Sequence, residues 1–403
     1  MKSISLVYRF CKEEHSLQPA IENLKTEERS ILQRAIDLFK RETVLVIALL
    51  LAAVSMFFVK PDGEYSSYID YQTLALLFSL MIIMAKFQRM GLFHFVGVKL
   101  LEKVNGSRQI YAALVLLCFF SSMLITNDVA LITFVPFAIT VLKMAGLENR
   151  MIPVIVLQTV AANLGSMLTP IGNPQNLYLY AQSGMSLGSF VMLMLPYAAI
   201  AAVIFAIMIM SMKNHNVEDD ILDNMSAPEF KVNRELMIYS IMFLGCVLAV
   251  ARIVPWQAML VLVVAVSIKM DFGLFKDIDY SLLLTFVGFF IFIGNMGRIP
   301  MFSDFLMGAM QGNEMIASVL ASQVISNVPA ALLLSGFTTK WSMLIIGTNL
   351  GGLGTLIASM ASLISYKQVV KHYPAKKSAY VQHFTVTNVL ILAVLLGAFW
   401  VLM

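Results

Sequence analysis

Charge is scarce in this chain. Only 13% of its 403 residues are Asp, Glu, Lys or Arg, whereas 59% are hydrophobic. An ordinary soluble domain carries about a quarter of its residues as charges, so that class is excluded. Cysteine is rarer still: Cys11, Cys118 and Cys246 are odd in number and widely spaced, which implies neither a disulfide framework nor a zinc cluster. The polar, mixed-charge residues 1–43 lack the basic start, short apolar run and small-residue cleavage site of a signal peptide. The five histidines (His15, His94, His215, His372, His383) fall in loops or interfacial stretches, and neither a His-Glu-x-x-His pair nor a facing pair of Asp residues is present for an intramembrane enzyme. The glycine-rich run from Gly347 to Thr355 lacks the Gly-Lys-Ser/Thr ending of a phosphate loop, which argues against ATP hydrolysis. No feature suggests nucleic-acid binding.

What is present is a series of long apolar runs, with a mean hydropathy of +0.81. A helix needs about 20 such residues to cross a bilayer. Spans are expected near 44–59, 72–85, 152–182 (broken near 167–175) and 187–212, then at 235–254, 256–270, 280–297, 342–364 (broken near 347–355) and 384–403. Residues 27–41 place Ile31, Leu32, Ala35, Ile36, Leu38 and Phe39 largely on one face, as in a helix lying on the membrane surface. Two further apolar segments, 109–143 and 314–340, are interrupted at Thr126-Asn127-Asp128 and Ser326-Asn327-Val328-Pro329. Each is either one long helix or a re-entrant hairpin.

Positive charge decides between them. With both segments as hairpins and the N-terminus inside, most of the 28 Lys and Arg fall on the cytoplasmic side, leaving Lys60, Arg252, Arg298 and Lys340 outside. The expected fold is therefore an all-α polytopic membrane protein built as an inverted repeat of two units, with about nine spans, two opposed re-entrant hairpins and two broken helices. Its parts are a cytoplasmic amphipathic segment (1–43), a first repeat unit (44–212), a cytoplasmic linker with a connecting span (213–254) and a second, inverted unit (255–403). The N-terminus is then cytoplasmic and the C-terminus external.

The polar breaks occur in pairs. Ser122-Ser-Met-Leu-Ile-Thr126-Asn127 recurs as Ser322-Gln-Val-Ile-Ser326-Asn327. Asn163-Leu-Gly165-Ser-Met-Leu-Thr169-Pro-Ile-Gly172 recurs as Asn349-Leu-Gly351-Gly-Leu-Gly-Thr355-Leu-Ile-Ala358. Polar groups and unwound backbone are costly in lipid and persist mainly where they line a cavity. Carbonyls at half-helix ends, with Ser, Thr and Asn oxygens, suit sodium or another hard cation, and free N–H groups at half-helix N-termini suit an anion. The first-unit candidates are Ser122, Thr126, Asn127, Thr169, Gly172, Asn173, Pro174 and Asn176; the second-unit candidates are Ser322, Ser326, Asn327, Val328, Pro329, Asn349, Gly351, Gly352, Thr355 and Ala358. Small residues also permit close helix packing, and Gly347 to Gly351 fits such a seam. Asp128 is the one carboxylate that this topology places deep in the membrane. A buried, unpaired carboxylate favours holding a proton or a cation, so Asp128 reads as a coupling residue or as a protonated structural acid.

These motifs resemble the ion transporter superfamily, which includes divalent anion–sodium symporters, citrate permeases, the membrane subunit of arsenite pumps and a group of sodium–proton antiporters. The resemblance covers about residues 44–403. It implies one sodium site from Ser122, Thr126, Asn127 and Gly172 and a second from Ser322, Ser326, Asn327 and Ala358, with the two tips flanking substrate. It also implies a homodimer working as an elevator. The tip Thr126-Asn127-Asp128 is similar to the arsenite and antiporter branches. The functional expectation is an ion-coupled secondary transporter in the plasma or inner membrane, carrying a small anion (carboxylate or oxyanion) with sodium or protons and no bound cofactor. The alternatives are a sodium–proton antiporter using Asp128 and an arsenite-type oxyanion exporter.

Overall fold

The computed structural model describes residues 42–402 apart from 103, 105 and 215–232. The surface helix expected at 27–41 and the acidic part of the linker lie outside the described residues. Among the described residues there are helices and no β-strand. Before the linker come α1 (Thr43–Phe58), α2 (Tyr65–Tyr68), α3 (Tyr71–Arg89), α4 (Leu92–Leu101), α5 (Ser107–Ser121), α6 (Asn127–Met144), α7 (Met151–Ser166), α8 (Pro174–Ser183) and α9 (Leu187–Ser211). After it come α10 (Arg234–Val250), α11 (Trp256–Met270), α12 (Tyr280–Gly297), α13 (Pro300–Met310), α14 (Glu314–Ile325), α15 (Asn327–Ser335), α16 (Trp341–Leu350), α17 (Met360–His372) and α18 (Lys377–Leu402). Helices α3, α6, α9 and α12 and the stretch Pro374–Leu402 are long and apolar enough to cross a bilayer, as in a polytopic membrane protein.

Both interrupted segments are hairpins, since α5 packs back on α6 and α14 on α15. Two short helices, α4 and α13, fill stretches that the sequence offers as loops. The second broken span also breaks later than expected. Thr348 Oγ1 bonds the carbonyl of Leu344 at 2.8 Å within an intact helix, and the chain leaves α16 only after Leu350. Gly354, with φ of 104°, then turns it, and Ser359 starts the next helix. The last helix begins at Lys377, several residues before the apolar run.

The helices form two groups. In the first, α1 packs on α12 and α3 on α11, so each half supplies a partner for the other. Gly288 permits the α1–α12 contact, since a Cβ there would lie 3.0 Å from the backbone of Ala48. Charges tie the ends of this group crosswise. Asp70 and Asp279 cap α3 and α12, accepting from the amides of Thr73 (3.0 Å) and Leu282 (2.9 Å). Arg89, at the far end of α3, pairs with Asp271 at 3.1 Å and Asp277 at 2.6 Å. Arg298, just past the far end of α12, pairs with Asp62 at 2.8 Å and donates to Tyr68 at 3.0 Å. Asp62, Asp70 and Arg89 have the same spacing as Asp271, Asp279 and Arg298, so the two clamps are copies with their partners exchanged between halves. The Arg298 hydrogen bond holds the exposed Asp62 carboxyl below its ordinary range. That contribution is therefore full above the usual carboxylate pKa and is lost as pH falls through the lowered one.

In the second group α5 packs on α7 and α14 on α16, while α6 meets α17 and α15 meets α8. Gly165 allows the first of these contacts. A Cβ on it would stand 2.0 Å from the carbonyl oxygen of Phe119. Gly165→Ala should therefore destabilise the protein by about 2 kcal/mol or more, as overpacking does. Gly188→Ala, whose Cβ would find nothing nearer than 3.9 Å, should be neutral or slightly stabilising. Thermal unfolding of both variants in detergent is the check, and equal melting temperatures would contradict the packing described.

Candidate functional site

The hairpin tips are short departures from helix. Residues 122–126 separate α5 from α6, with Thr126 extended at the N-cap. Ser326 alone separates α14 from α15, at φ 75° and ψ 156°. Such backbone is strained for a residue with a side chain and clusters at functional sites. In the broken spans, Asn173 and Ser359 start α8 and α17 from extended backbone. Four helix N-termini, those of α6, α15, α8 and α17, thus begin at the polar breaks, each presenting the positive end of its dipole.

Hydrogen bonds join these breaks in matched pairs. Thr169 Oγ1 donates to the carbonyl of Met123 in the first tip, and Thr355 Oγ1 donates at 3.2 Å to that of Gln323 in the second. Each broken span thereby holds the hairpin of its own half. Across the halves, Asn163 Nδ2 donates to Ser362 Oγ at 3.4 Å, and Asn349 Nδ2 donates to Asn176 Oδ1 at 2.6 Å. Asn163 and Asn176 have the spacing of Asn349 and Ser362, so these bonds too are copies with partners exchanged. Asn163 Oδ1 also accepts from Asn127 Nδ2 and Ser359 Oγ, both at 3.0 Å. Among the described residues the buried Asn349 Oδ1 has no hydrogen-bond partner, nor has Asn173 Oδ1.

Most of the residues singled out from the sequence lie together here. Ser122 donates to the carbonyl of Phe119 at 3.0 Å, and a Cβ on Gly172 would be 2.8 Å from the Ser122 carbonyl oxygen. In the second half, Ser322 donates to Ser318 at 2.7 Å and a Cβ on Gly351 would lie 2.7 Å from its Oγ. Asn327 N donates to the Ala358 carbonyl at 2.9 Å, and Gly352 lies beside the Asn327 amide. Thr355 is the outlier: it is exposed, and its hydroxyl and amide serve to brace Gln323.

Two cavities bring polar residues to the tips; a third, about 530 Å³ between α4, α5 and α6, is walled almost wholly by apolar side chains such as Leu124 and Ile125. The larger of the two, about 540 Å³, lies between α3 and α6, and its lining includes Thr126, Asp128, Pro174, Arg89, Asp277 and Asp279. The smaller, about 250 Å³, lies between α12 and α17, and its lining includes Val328, Pro329, Met360, Asp279 and Lys367. Asp279 lines both. Asp279, Gln323, Ser359 and Ser362 are not among the candidates expected from the sequence, and Asn163 enters there only as the first residue of a repeated motif. The repeated Asp62, Asp70, Arg89 spacing was the signal available for Asp279. Arg89 is already committed to Asp271 and Asp277, so among the described residues the larger cavity offers a cation carboxylates and offers an anion no free basic side chain.

Residues 35–340 match the family model described as "Citrate transporter". The chain belongs to the citrate transporter family. It is thus a membrane transporter rather than an enzyme, and the superfamily resemblance holds. An uncharacterized transporter of Methanocaldococcus jannaschii is 32% identical over 75% of this chain and 82% of its own length. The inner membrane protein YbiR of Escherichia coli is 29% identical over 79% of this chain and 86% of its own. A rice silicon efflux transporter is 31% identical over 34% of this chain and 28% of its own.

In this citrate transporter family member, Asn163→Ala would leave Asn127 Nδ2 and Ser359 Oγ without partners in a buried setting, at a cost of about 1–3 kcal/mol for each stranded group. Asn349→Ala removes a donor only from Asn176 Oδ1 and from the carbonyl of Ile345, which keeps its place in the helix. Asn163→Ala should therefore lower the melting temperature in detergent by the larger amount. The reverse order would contradict the assignment of Asn163 as the junction between the halves.

Proposed function

We propose that this transporter is an ion-coupled secondary carrier that moves a small anion, a carboxylate or oxyanion, with sodium or protons by alternating access. The observation that carries this reading is the meeting of two hairpin tips and two broken spans in one buried hydrogen-bonded cluster, beside a cavity lined by Asp128. Irregular backbone inside a membrane is tolerated where it lines such a cavity. The group Ser122, Thr126, Asn127 and Gly172 and the group Ser322, Ser326, Asn327 and Ala358 are the proposed cation positions. Val328, Pro329, Asn173 and Pro174 stand beside them for substrate, which the four helix N-termini would attract. Asp128 is the proposed coupling residue, exchanging a proton or holding a cation that offsets its charge. A family described by citrate and a relative named for silicon efflux both favour a small solute.

The exchanged partners described above support an inverted repeat. Copies related by a two-fold axis must swap contacts as α1–α12 and α3–α11 do, and an odd number of spans between them sets that axis in the membrane plane. On this reading the N-terminus is cytoplasmic and the C-terminus external. The group holding hairpins and broken spans moves as an elevator against the α1, α3, α10, α11 and α12 scaffold, in a homodimer. A second reading, sodium–proton antiport through Asp128, is favoured by the absence of an uncommitted basic side chain from the larger cavity.

Purified protein in proteoliposomes, with an internal pH dye and imposed sodium or proton gradients, separates the two. Gradient-driven uptake that requires an added carboxylate or oxyanion and is abolished in Asn127→Ala and Asn327→Ala supports the carrier. Sodium-driven proton movement with no anion present, lost in Asp128→Asn, supports the antiporter instead. Full flux in folded Asn127→Ala and Asn327→Ala proteins removes the site assignment.

A further inference from the structure

The contacts between the scaffold and the proposed mobile group differ between its two sides. Helix α3 packs on α8 and α12 packs on α15. The repeat relates these contacts to α12 with α17 and α3 with α6, and there the two cavities intervene. The same asymmetry appears in single bonds. Asp70 Oδ2 accepts from Gln182 Nε2 at 3.0 Å, joining the start of α3 to the end of α8. Arg252, at φ 63°, donates to the carbonyls of Tyr180, Ala181 and Gly184 around the end of the same helix. On the face of α8 that carries Gln182, Tyr178 shares a 2.9 Å hydrogen bond with Ser335 of α15.

The spacing from Asn163 to Gln182 recurs from Asn349 to Gln368, and Asp279 is the copy of Asp70. Asp279 accepts from the Leu282 amide, as Asp70 does from Thr73, yet no hydrogen bond joins it to Gln368. Its carboxylate instead borders both cavities. We propose that Asp70–Gln182 and Asp279–Gln368 are the outer and inner latches of the transport cycle, formed alternately, and that this structure is the cytoplasm-open state with only the outer latch made. This rests on the inverted repeat proposed above. Each latch joins a carboxylate to an amide donor, a charge-assisted bond strong enough to bias two states yet weak enough to break in each cycle. Inner closure carries α17 onto α12, fills the smaller cavity and brings Gln368 to Asp279, while Gln182 leaves Asp70.

Accessible cysteines on symmetry-related positions test this in a chain whose own three cysteines are replaced. Ile132→Cys, on the wall of the larger cavity, reports opening to the cytoplasm; Leu332→Cys, its buried copy, reports opening to the outside. Gln182→Glu opposes two carboxylates at the outer latch, and Gln368→Lys adds a cation facing Asp279 at the inner one. Each should lower labelling of Ile132→Cys by an impermeant maleimide offered from the cytoplasmic side, and raise labelling of Leu332→Cys from outside. The expected change is about tenfold, the effect of one charge-assisted hydrogen bond. Unchanged labelling, or a shift the other way, overturns the proposal. A second measurement uses the pairs Asp70→Cys with Gln182→Cys and Asp279→Cys with Gln368→Cys. Crosslinking at either pair but never at both in one molecule supports alternation; both at once, or none at the inner pair, overturns it. Labelling shifts without flux of any solute would count against the proposed carrier alone, whereas flux with unmoved labelling would count against the latches alone.

Discussion

A break in a helix inside the bilayer exposes backbone and polar side chains that lipid cannot satisfy, so the protein must satisfy them itself. Much of this molecule's arrangement follows from that constraint. Each broken span lends a threonine hydroxyl to the hairpin of its own half and an asparagine amide to the broken span of the other. Neither half closes its hydrogen bonds alone. The glycines at 165 and 351 let the helices come near enough for those bonds to form. Asn163, which bonds three side chains drawn from the first tip and the second broken span, is the junction.

The same exchange governs the scaffold. Arg89 reaches Asp271 and Asp277 of the second half, and Arg298 reaches Asp62 and Glu64 of the first. These pairs are partly exposed, so their worth lies less in stability than in fixing which helix ends meet. On the proposed elevator reading, a scaffold clamped at both ends is the surface against which the hairpin group would move, and the cavities beside α6 and α17 with the closed contacts beside α8 and α15 would be one end of its cycle.

The polar breaks were legible in sequence because a glycine, an asparagine and a hydroxyl at fixed spacing have few reasons to interrupt an apolar run twice. The hairpins were legible because charge counting favours them. The exact second break was not, since Gly347, Thr348 and Asn349 look like a loop but continue the helix against Ser318 and Met315. Helices α4 and α13 were missed because short helices beside longer spans leave no span-length signal. Asn163 stood in the repeated motif, but its partners Ser359 and Ser362 lie about half the chain away and only the fold brings them near. Asp279 is one of the carboxylates that the expected topology leaves outside the deep membrane; its place beside two cavities depends on how α12 meets both hairpins.

The relation between the halves is tested most directly by topology. Gly63 and Phe272 are exposed, occupy matching positions beside the clamp residues Asp62 and Asp271, and tolerate a cysteine without touching the site. In right-side-out membrane vesicles, an impermeant maleimide should label Gly63→Cys at once and Phe272→Cys only after permeabilisation. Labelling of both from the same side would make the repeat parallel and contradict the inverted arrangement on which the proposed alternating access rests.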